Sequence, residues 1–309
     1  LIIEGDNYHS LSTLNYTHKE KIDLIYIDPP YNTGANNWKY NNDYVDSDDS
    51  YRHSKWINMM YERLSIAKNL LKEDGILICS IDDIEFATLN LLLKLIFKPE
   101  NILSVLVVEN NPRGRTSEKF LATSHEYSII CAKNYRIAKI FDQALTLDQK
   151  KAFNQKDEES EFRWLPLRKS GAESTRQDRP KQFFPIYVSK IDLSVSLEAK
   201  DKSYVKILPI DNSGGERVWN TGMNNLRELI KIGAIQAKYN KNKDSFTLQK
   251  KDRIKKGRKS KSFWHGSQYD FSANGTIPLA NILGRGKFDY PKSINYMKDL
   301  ISLVVKEKK

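Results

Sequence analysis

The sequence predicts an α/β fold with a mostly parallel sheet, because apolar runs of strand length alternate with segments whose apolar residues recur at helical spacing. The segment 55–72 carries apolar residues every three or four positions, and a second helix is expected between Asp82, a suitable N-cap, and Pro99. Strands are predicted at residues 22–27, 76–81, 102–109 and 127–132. The last two have no helix between them, so they are expected to pair antiparallel at the edge of the sheet.

Three local features complete this outline. Residues 1–4 resemble the stub of another strand, and Gly75 suits the turn that ends the first helix. The polar segment 32–50 is predicted to be a loop that closes over a site, as active-site lids do. The α/β alternation then stops, and prolines, short β-like runs and basic residues dominate residues 135–275. We therefore predict a core at 1–134, an inserted α+β domain at 135–275 and a return to the core at 276–309.

Charge is divided unequally along the chain. The whole sequence of 309 residues has a net charge of +11. Residues 1–134 contain 14 Lys and Arg against 19 Asp and Glu, whereas residues 135–309 contain 36 against 20. A basic excess confined to one half indicates a module that binds phosphates, although a solvated basic surface gives the same composition.

Several classes of protein are disfavoured by composition. No apolar run approaches the roughly 20 residues that cross a bilayer, and no export signal precedes the first strand, so we expect a cytoplasmic protein without membrane contact. Cys79 and Cys131 lie in apolar runs and form no disulfide framework. Neither follows a proline, which disfavours a cytosine-C5 methyltransferase. The five histidines lack partners at ligand spacing, so no metal site is predicted.

Asp28-Pro29-Pro30-Tyr31 directly follows the first predicted strand. Ligands of open α/β sheets bind at the carboxyl ends of the strands, so this tetrapeptide marks a candidate active site. A carboxylate at Asp28 and the rigid carbonyl of Pro29 can accept the two N–H groups of an exocyclic amine, while the ring of Tyr31 stacks on an extruded base. These groups suit methyl transfer to a base amino group, with Asp28, Pro29, Pro30 and Tyr31 as the catalytic residues.

At these residues the chain resembles the permuted group of DNA amino-methyltransferases, in which the catalytic tetrapeptide precedes the cofactor motif. The matching segments are Gly5-Asp6-Asn7, Asp28 through Gly34, Tyr51 through Trp56, Ser80-Ile81-Asp82-Asp83, His125-Glu126-Tyr127 and Phe288-Asp289-Tyr290-Pro291-Lys292. In this order they look most like the modification subunit of a type III restriction-modification system. One departure is Ser293, where the family usually has a second proline.

The resemblance implies a Rossmann-like methyltransferase sheet and S-adenosylmethionine as cofactor. It places Asp6 near the adenosine of that cofactor and Lys292 near its methionine carboxylate. The residues implied at the cofactor site are Asp6, Asn7, Asp28, Phe288 and Lys292. In relatives a Phe-x-Gly-x-Gly loop follows the lysine motif. The sequence stops before such a loop, so we expect a piece of a longer protein that by itself binds the cofactor weakly or not at all.

The resemblance also assigns the inserted domain, 135–275, to target recognition on double-stranded DNA. Arginine can reach guanine bidentately and lysine neutralises phosphate. Candidate DNA-binding residues are Arg113, Arg115, Arg176, Arg179, Arg217, Lys255, Lys256 and Arg258. A homodimer and a helicase-nuclease restriction subunit are the implied partners.

The resulting prediction is a methyltransferase acting on N6 of a flipped adenine. Two alternatives stay open. Cytosine-N4 methyltransferases face the same geometric problem but typically carry serine where Asp28 stands, and a DNA-binding or assembly module could retain the tetrapeptide without performing chemistry.

Overall fold

The computed structural model describes residues 2–40, 43–46, 48–114 and 119–306. The chain divides into two compact units. Unit 1 comprises Leu1–Gln143 and Gly257–Lys309, and unit 2 comprises Ala144–Lys256. The predicted functional domain boundaries, 134/135 and 275/276, stay a prediction.

Unit 1 begins with most of the elements of a layered α/β structure. In chain order they are α1 (Asn7–His18), β1 (Ile22–Ile27), β2 (Ala35–Tyr40), β3 (Asp43–Asp46), α2 (Arg52–Leu70), β4 (Leu71–Ile81), α3 (Asp83–Phe97), β5 (Ile102–Val108) and β6 (Glu126–Ala132). Asp82 caps α3 as predicted, since its side chain accepts a hydrogen bond from the backbone N–H of Ile84.

Unit 2 consists of two antiparallel sheets and two helices around its own apolar core. Its elements are α4 (Leu147–Lys151), β7 (Gln155–Lys156), β8 (Glu161–Pro166), β9 (Ile186–Ser189), β10 (Val195–Ser196), β11 (Tyr204–Ile207), α5 (Met223–Lys231), β12 (Ile235–Asn240) and β13 (Ser245–Arg253). The sheets have strand orders β10-β9-β11 and β12-β13-β8-β7. Phe184, Trp219 and Leu226 are buried in the core.

The chain returns to unit 1 with β14 (Phe263–Trp264), α6 (Ile277–Leu283) and α7 (Ile294–Ser302). The excursion into unit 2 starts and ends at neighbouring points. Gln143 and Arg258 exchange two backbone hydrogen bonds of 2.9 Å each in an isolated antiparallel bridge.

The main sheet of unit 1 has the strand order β1-β4-β6-β5-β14. The β1/β4 and β5/β14 pairs are parallel, and the β4/β6 and β5/β6 pairs are antiparallel. The predicted α/β class is therefore confirmed, and two parallel and two antiparallel pairs make up the sheet that was predicted to be mostly parallel. The antiparallel pair β5/β6 does not form the edge, because the returning chain adds β14 beside β5.

Helices cover both faces of this sheet, and β4 shows how. Its residues Leu77, Cys79 and Ile81 join a buried cluster with α2 and α3, whereas Ile76 and Ile78 join a second cluster with α7. Successive side chains of a strand point to opposite faces, so a strand buried on both faces is apolar throughout. This explains why 76–81 was recognisable as a strand.

Three local predictions were wrong, and one helix was not predicted. Residues 2–4 form no strand, and α1, which buries no residue, was not predicted. The predicted loop 32–50 contains the β2–β3 hairpin, with Trp38 and Val45 buried. Gly75 lies inside β4 rather than in a turn, because the strand begins at Leu71, directly after α2.

Among the helices of the described ranges, none combines the length and apolar composition needed to cross a bilayer.

The position of Gly75 gives a test of the β1/β4 register. A Cβ at residue 75 would lie 2.9 Å from the carbonyl oxygens of both Ile22 and Lys72. Because these are backbone atoms, Gly75→Ala is expected to lower the free energy of unfolding by about 1–3 kcal/mol. Gly222→Ala is the control, since nothing lies within 4 Å of the added carbon. Urea denaturation followed by tryptophan fluorescence measures both, and equal stability of the two variants would contradict the described packing.

Candidate active site

The tetrapeptide Asp28-Pro29-Pro30-Tyr31 leaves the carboxyl end of β1, which ends at Ile27. Its backbone is held by Trp56 of α2, whose indole Nε1–H donates a 2.7 Å hydrogen bond to the carbonyl oxygen of Pro30. Trp56 is fully buried. The proline rings restrict the backbone dihedral angles, and the indole hydrogen bond anchors the backbone to α2. These two constraints make the strand end rigid.

Lys292 lies at the centre of the polar groups around this strand end. Its Nζ is 2.7 Å from Oε2 of Glu126 and 3.3 Å from Oδ1 of Asp28. It also donates to the hydroxyl of Tyr31 and lies 4.8 Å from the centroid of that ring. The Tyr31 hydroxyl in turn donates to Oε2 of Glu126 at 3.1 Å. We call Asp28, Tyr31, Glu126 and Lys292 the lysine cluster.

The residue after Lys292 fixes the start of α7. Ser293 is buried, and its Oγ accepts from the backbone N–H of Tyr296 at 3.4 Å and donates to the carbonyl of Gln268 at 2.9 Å. Serine is a good N-cap, which gives the departure from the family's proline a structural role. One turn later, the Tyr296 hydroxyl is hydrogen-bonded to Ser80 and Ser128 on the sheet. Lys292 is thus placed by a capped and anchored helix.

The tyrosines near the cluster remain protonated. Burial raises the pKa of Tyr31 far above its ordinary value, and the charges of Glu126 and Asp28 raise it further. Burial and the charge of Asp28 raise the pKa of Tyr26, whose hydroxyl lies 3.1 Å from Oγ of Ser80. Burial and Glu126 act in the same direction on the pKa of Tyr296. The Tyr31 hydroxyl is therefore a neutral hydrogen-bond donor at physiological pH.

A second polar cluster holds the residue that follows the tetrapeptide. Asn32 is fully buried with a left-handed backbone, φ +58°. Its Nδ2 donates to Oε1 of Glu85 at 2.6 Å, and its Oδ1 accepts from the indole N–H of Trp38 at 3.2 Å. Glu85 is also fully buried, and its Oε1 lies 2.6 Å from Nδ1 of His53. These side chains fix the direction in which the chain leaves the site.

Of the predicted cofactor residues, Asp28 and Lys292 come together. Asp6 caps α1 through the backbone N–H groups of Tyr8 and His9, and it lies 3.3 Å from Nη2 of Arg63. Burial raises the pKa of Asp6, but the backbone hydrogen bonds and Arg63 outweigh it and lower the pKa below its usual value. Asn7 is the first residue of α1 and is exposed, and Phe288 is also exposed. Their roles at a cofactor stay predictions.

The predicted DNA-binding residues fall into different environments. Three arginines of unit 2 have carboxylate partners: Arg176 with Glu216, Arg179 with Glu173, and Arg217 with Asp211. The remaining described residues, Arg113, Lys255, Lys256 and Arg258, are exposed, and Arg115 lies outside the described residues. No base-reading role is established for any of them.

Glu126 and Glu85 were not predicted as site residues, although the sequence carries a signal for each. Glu126 opens a strand that is buried at six of its seven positions, and only 3% of its own surface is exposed. Glu85 shares the apolar face of α3 with Leu89 and Leu92, at the spacing of a buried helix stripe. A carboxylate is seldom buried unless it is paired, so charge at an apolar position is the signal that identifies both.

The fold and the strand-end site define a class of protein. Residues 22–309 match the family model described as DNA methylase, N6_N4_Mtase, and the chain belongs to this family. The resemblance predicted from the motifs is confirmed.

The relatives give the comparison more detail. The chain is 31% identical to the type III restriction-modification enzyme EcoPI Mod subunit of Escherichia phage P1, over 99% of this chain and 52% of that protein. It is 33% identical to the type II methyltransferase M.KpnI of Klebsiella pneumoniae, over 98% of this chain and 70% of that protein. The chain therefore spans about half the length of the phage relative.

Among solved structures, the M1.HpyAVI–SAM complex matches 47% of this chain and 60% of its own, with 12% identity and a TM-score of 0.32. That likeness is too weak to carry an argument.

Replacing Asn32 separates its backbone role from its side-chain role. Asn32→Gly keeps a left-handed backbone but removes the hydrogen bonds to Glu85 and Trp38, so the free energy of unfolding should fall by about 2 kcal/mol. Asn32→Ala should cost about 1 kcal/mol more, because a Cβ disfavours positive φ. Urea denaturation measures both. Equal stabilities would show that the left-handed backbone is not maintained.

The raised pKa of Tyr31 predicts a pH dependence of stability. The unfolded chain releases this proton near the ordinary pKa of 10.0, whereas the folded protein retains it to higher pH. The contribution is complete below that pH and is lost as the pH rises above it, because the unfolded state then binds fewer protons. Tyr31→Phe should therefore lose less stability than the wild type between pH 9 and pH 11. Urea titrations at both values measure the difference, and identical losses would contradict it.

Proposed function

We propose that this chain supplies the catalytic and DNA-recognition parts of an S-adenosylmethionine-dependent DNA methyltransferase that modifies N6 of adenine. The observation that carries the proposal is the carboxylate of Asp28 at a rigid strand end beside Lys292. The side chain of Asp28 is 35% exposed, whereas that of Glu126 is 3% exposed, so Asp28 is the carboxylate that an incoming base can reach.

Asp28 and Pro29 bind the target amine in this proposal. The lone pair of an adenine amino group is delocalised into the ring, which makes the nitrogen a poor nucleophile. Asp28 accepts one N–H and the Pro29 carbonyl accepts the other, which favours a pyramidal nitrogen and stabilises the positive charge that develops on it. The base must first leave the duplex, and the ring of Tyr31, held by its hydroxyl, offers a fixed surface for stacking.

The residues present fit the proposed cofactor. S-adenosylmethionine carries a sulfonium cation and an amino-acid end with both charges, and it supplies the methyl group. The lysine cluster offers one ammonium and two carboxylates, and Oε1 of Glu126 is buried without a hydrogen-bond partner among the described residues. Lys292 would hold the cofactor's carboxylate, as the resemblance implies. The other residues of the site orient and stabilise the reacting groups.

Double-stranded DNA is the proposed substrate, and the basic second half of the chain is the proposed recognition region. Unit 2 supports this with Arg176, Arg179 and Arg217 on one compact module. The ion pairs of Arg176 and Arg179 are exposed enough to be exchanged for phosphate or bases. The name of the phage relative supports a restriction-modification context. A homodimer, a helicase-nuclease restriction subunit and a cytoplasmic location belong to the same proposal.

The direct test measures labelled methyl groups transferred from S-adenosylmethionine to DNA by the intact protein to which this chain belongs. Asp28→Ala is expected to reduce the rate by at least about 100-fold and to leave DNA affinity unchanged, because the carboxylate acts on the reacting nitrogen. Asp23→Ala is the matched control, since Asp23 lies on the same strand but pairs with Lys72 on the surface.

Chromatography of the labelled nucleosides then identifies the product. N6-methyladenine is expected. Label on N4 of cytosine would show that cytosine is the target base and would contradict the adenine assignment. Wild-type DNA binding without any methyl transfer would instead favour a binding module. Loss of DNA affinity together with activity in Asp28→Ala would argue against a purely chemical role for Asp28.

A further inference from the structure

The hairpin formed by β12 and β13 extends beyond the rest of the larger sheet of unit 2. The two strands are antiparallel, with Gln236 opposite Gln249 and Lys238 opposite Thr247. Among the described strands, β8 pairs with β13 from Gln249 onward, so residues 238–247 lie beyond β8 as a two-stranded ribbon. We call these residues the ribbon tip.

The two faces of this hairpin differ in their chemistry. Successive side chains of a strand point to opposite faces. Ile235, Ala237 and Leu248 lie in the apolar core of unit 2. The residues that alternate with them form the opposite face, which we call the outer face: Gln236, Lys238, Asn240, Thr247 and Gln249. None of these five residues is apolar or acidic, and all except Gln236 line one open surface pocket.

The two glutamines of the outer face hold each other in place. Nε2 of Gln236 donates a 2.8 Å hydrogen bond to Oε1 of Gln249 across the two strands. This bond leaves Oε1 of Gln236 as an acceptor and Nε2 of Gln249 as a donor. The major-groove edge of adenine carries the complementary groups, because its N6 amino group donates and its N7 accepts. The glutamine pair thus presents groups that complement an A·T base pair.

The ribbon tip carries positive charge that is not compensated locally. It contains three lysines, Lys238, Lys241 and Lys243, against one carboxylate, Asp244, which gives a net charge of +2. All three lysines are exposed, and none forms an ion pair among the described residues. The carboxylate of Asp244 accepts a 2.7 Å hydrogen bond from the hydroxyl of Tyr239. The phosphates of DNA carry the charge that complements this surface.

Other cations of unit 2 are compensated by carboxylates. Lys251 and Arg253 lie farther along β13 and share the carboxylate of Asp157, at 2.9 and 2.7 Å. Arg176 and Arg179 each pair with a glutamate. DNA must displace these carboxylates, whereas it can contact the lysines of the ribbon tip directly. Charge complementarity therefore favours the ribbon tip for phosphate contacts.

We propose that the outer face of the β12–β13 hairpin lies in the major groove of double-stranded DNA, where Gln236 and Gln249 read an A·T base pair of the target sequence. The inference deepens the proposed function and rests on it. The major groove is about 12 Å wide and admits a two-stranded β-ribbon, whose strands lie about 4.8 Å apart. Lys241 and Lys243 contact phosphates and position the ribbon, and the glutamines supply the specificity.

Methylation of a randomised DNA library by the intact protein to which this chain belongs tests the base-reading role. Sequencing that detects methylated bases gives the base preference at each position of the target sequence. Gln236→Ala and Gln249→Ala are each expected to reduce the preference for A·T at the same single position by about tenfold. The other positions should keep their preference. Misfolding lowers methylation of every sequence alike, so it cannot produce this pattern.

The salt dependence of DNA binding tests the phosphate contacts. The double variant Lys241→Ala, Lys243→Ala should weaken binding to all sequences by a similar factor, and it should reduce the slope of log K against log salt by about two. The matched control is the double variant Lys200→Ala, Lys202→Ala. These two lysines are also exposed, but they lie between β10 and β11 of the other sheet. The control removes the same charge and should leave the slope unchanged.

The outcomes separate the inference from the proposed function. If either glutamine variant keeps the wild-type base preference at every position, the glutamine pair does not read bases and the inference is overturned, while the methyltransferase proposal stands. Equal salt slopes for the two double variants overturn the placement of the hairpin on DNA in the same way. Failure of the intact wild-type protein to methylate DNA overturns both.

Discussion

The ion pair between Lys292 and Glu126 connects three distant parts of the sequence at the end of β1. Lys292 contributes its ammonium from the start of α7, Glu126 its carboxylate from the start of β6, and Asp28 and Tyr31 lie beside them. Removing one member of a buried ion pair leaves the other charge without compensation, which is more costly than the pair itself is stabilising. The geometry of the tetrapeptide therefore depends on residues about 100 and 260 positions away.

Two kinds of rigidity meet in this region. The prolines limit the backbone by covalent geometry, and Trp56 and Asn32 hold it by hydrogen bonds to buried partners. In the proposed function, an amine acceptor that is positioned before the substrate arrives needs no rearrangement during the reaction. Buried polar groups, including Glu85, fix the backbone by accepting hydrogen bonds and so provide that preorganisation.

The strands of the sheet were predictable where their residues are apolar on both faces, as in 76–81. The class of fold and the tetrapeptide followed from such local patterns. Helix α1 was missed because none of its residues is buried, so no apolar periodicity marks it. The hairpin β2–β3 was missed because its sequence is polar apart from Trp38 and Val45. The partners of Lys292 were missed because contacts over such sequence distances depend on the folded topology, which no local pattern encodes.

Two backbone hydrogen bonds between Gln143 and Arg258 join the points at which the chain leaves unit 1 and returns to it. Such bonds make no demand on side-chain identity, so the junction does not constrain the sequence that it encloses. The entropy of closing a loop also grows only slowly with its length. An insertion attached in this way can diverge, lengthen or be exchanged between proteins while the sheet and the strand-end chemistry remain as they are. Attachment of this kind leaves the sequence of unit 2 free to change independently of the sheet of unit 1.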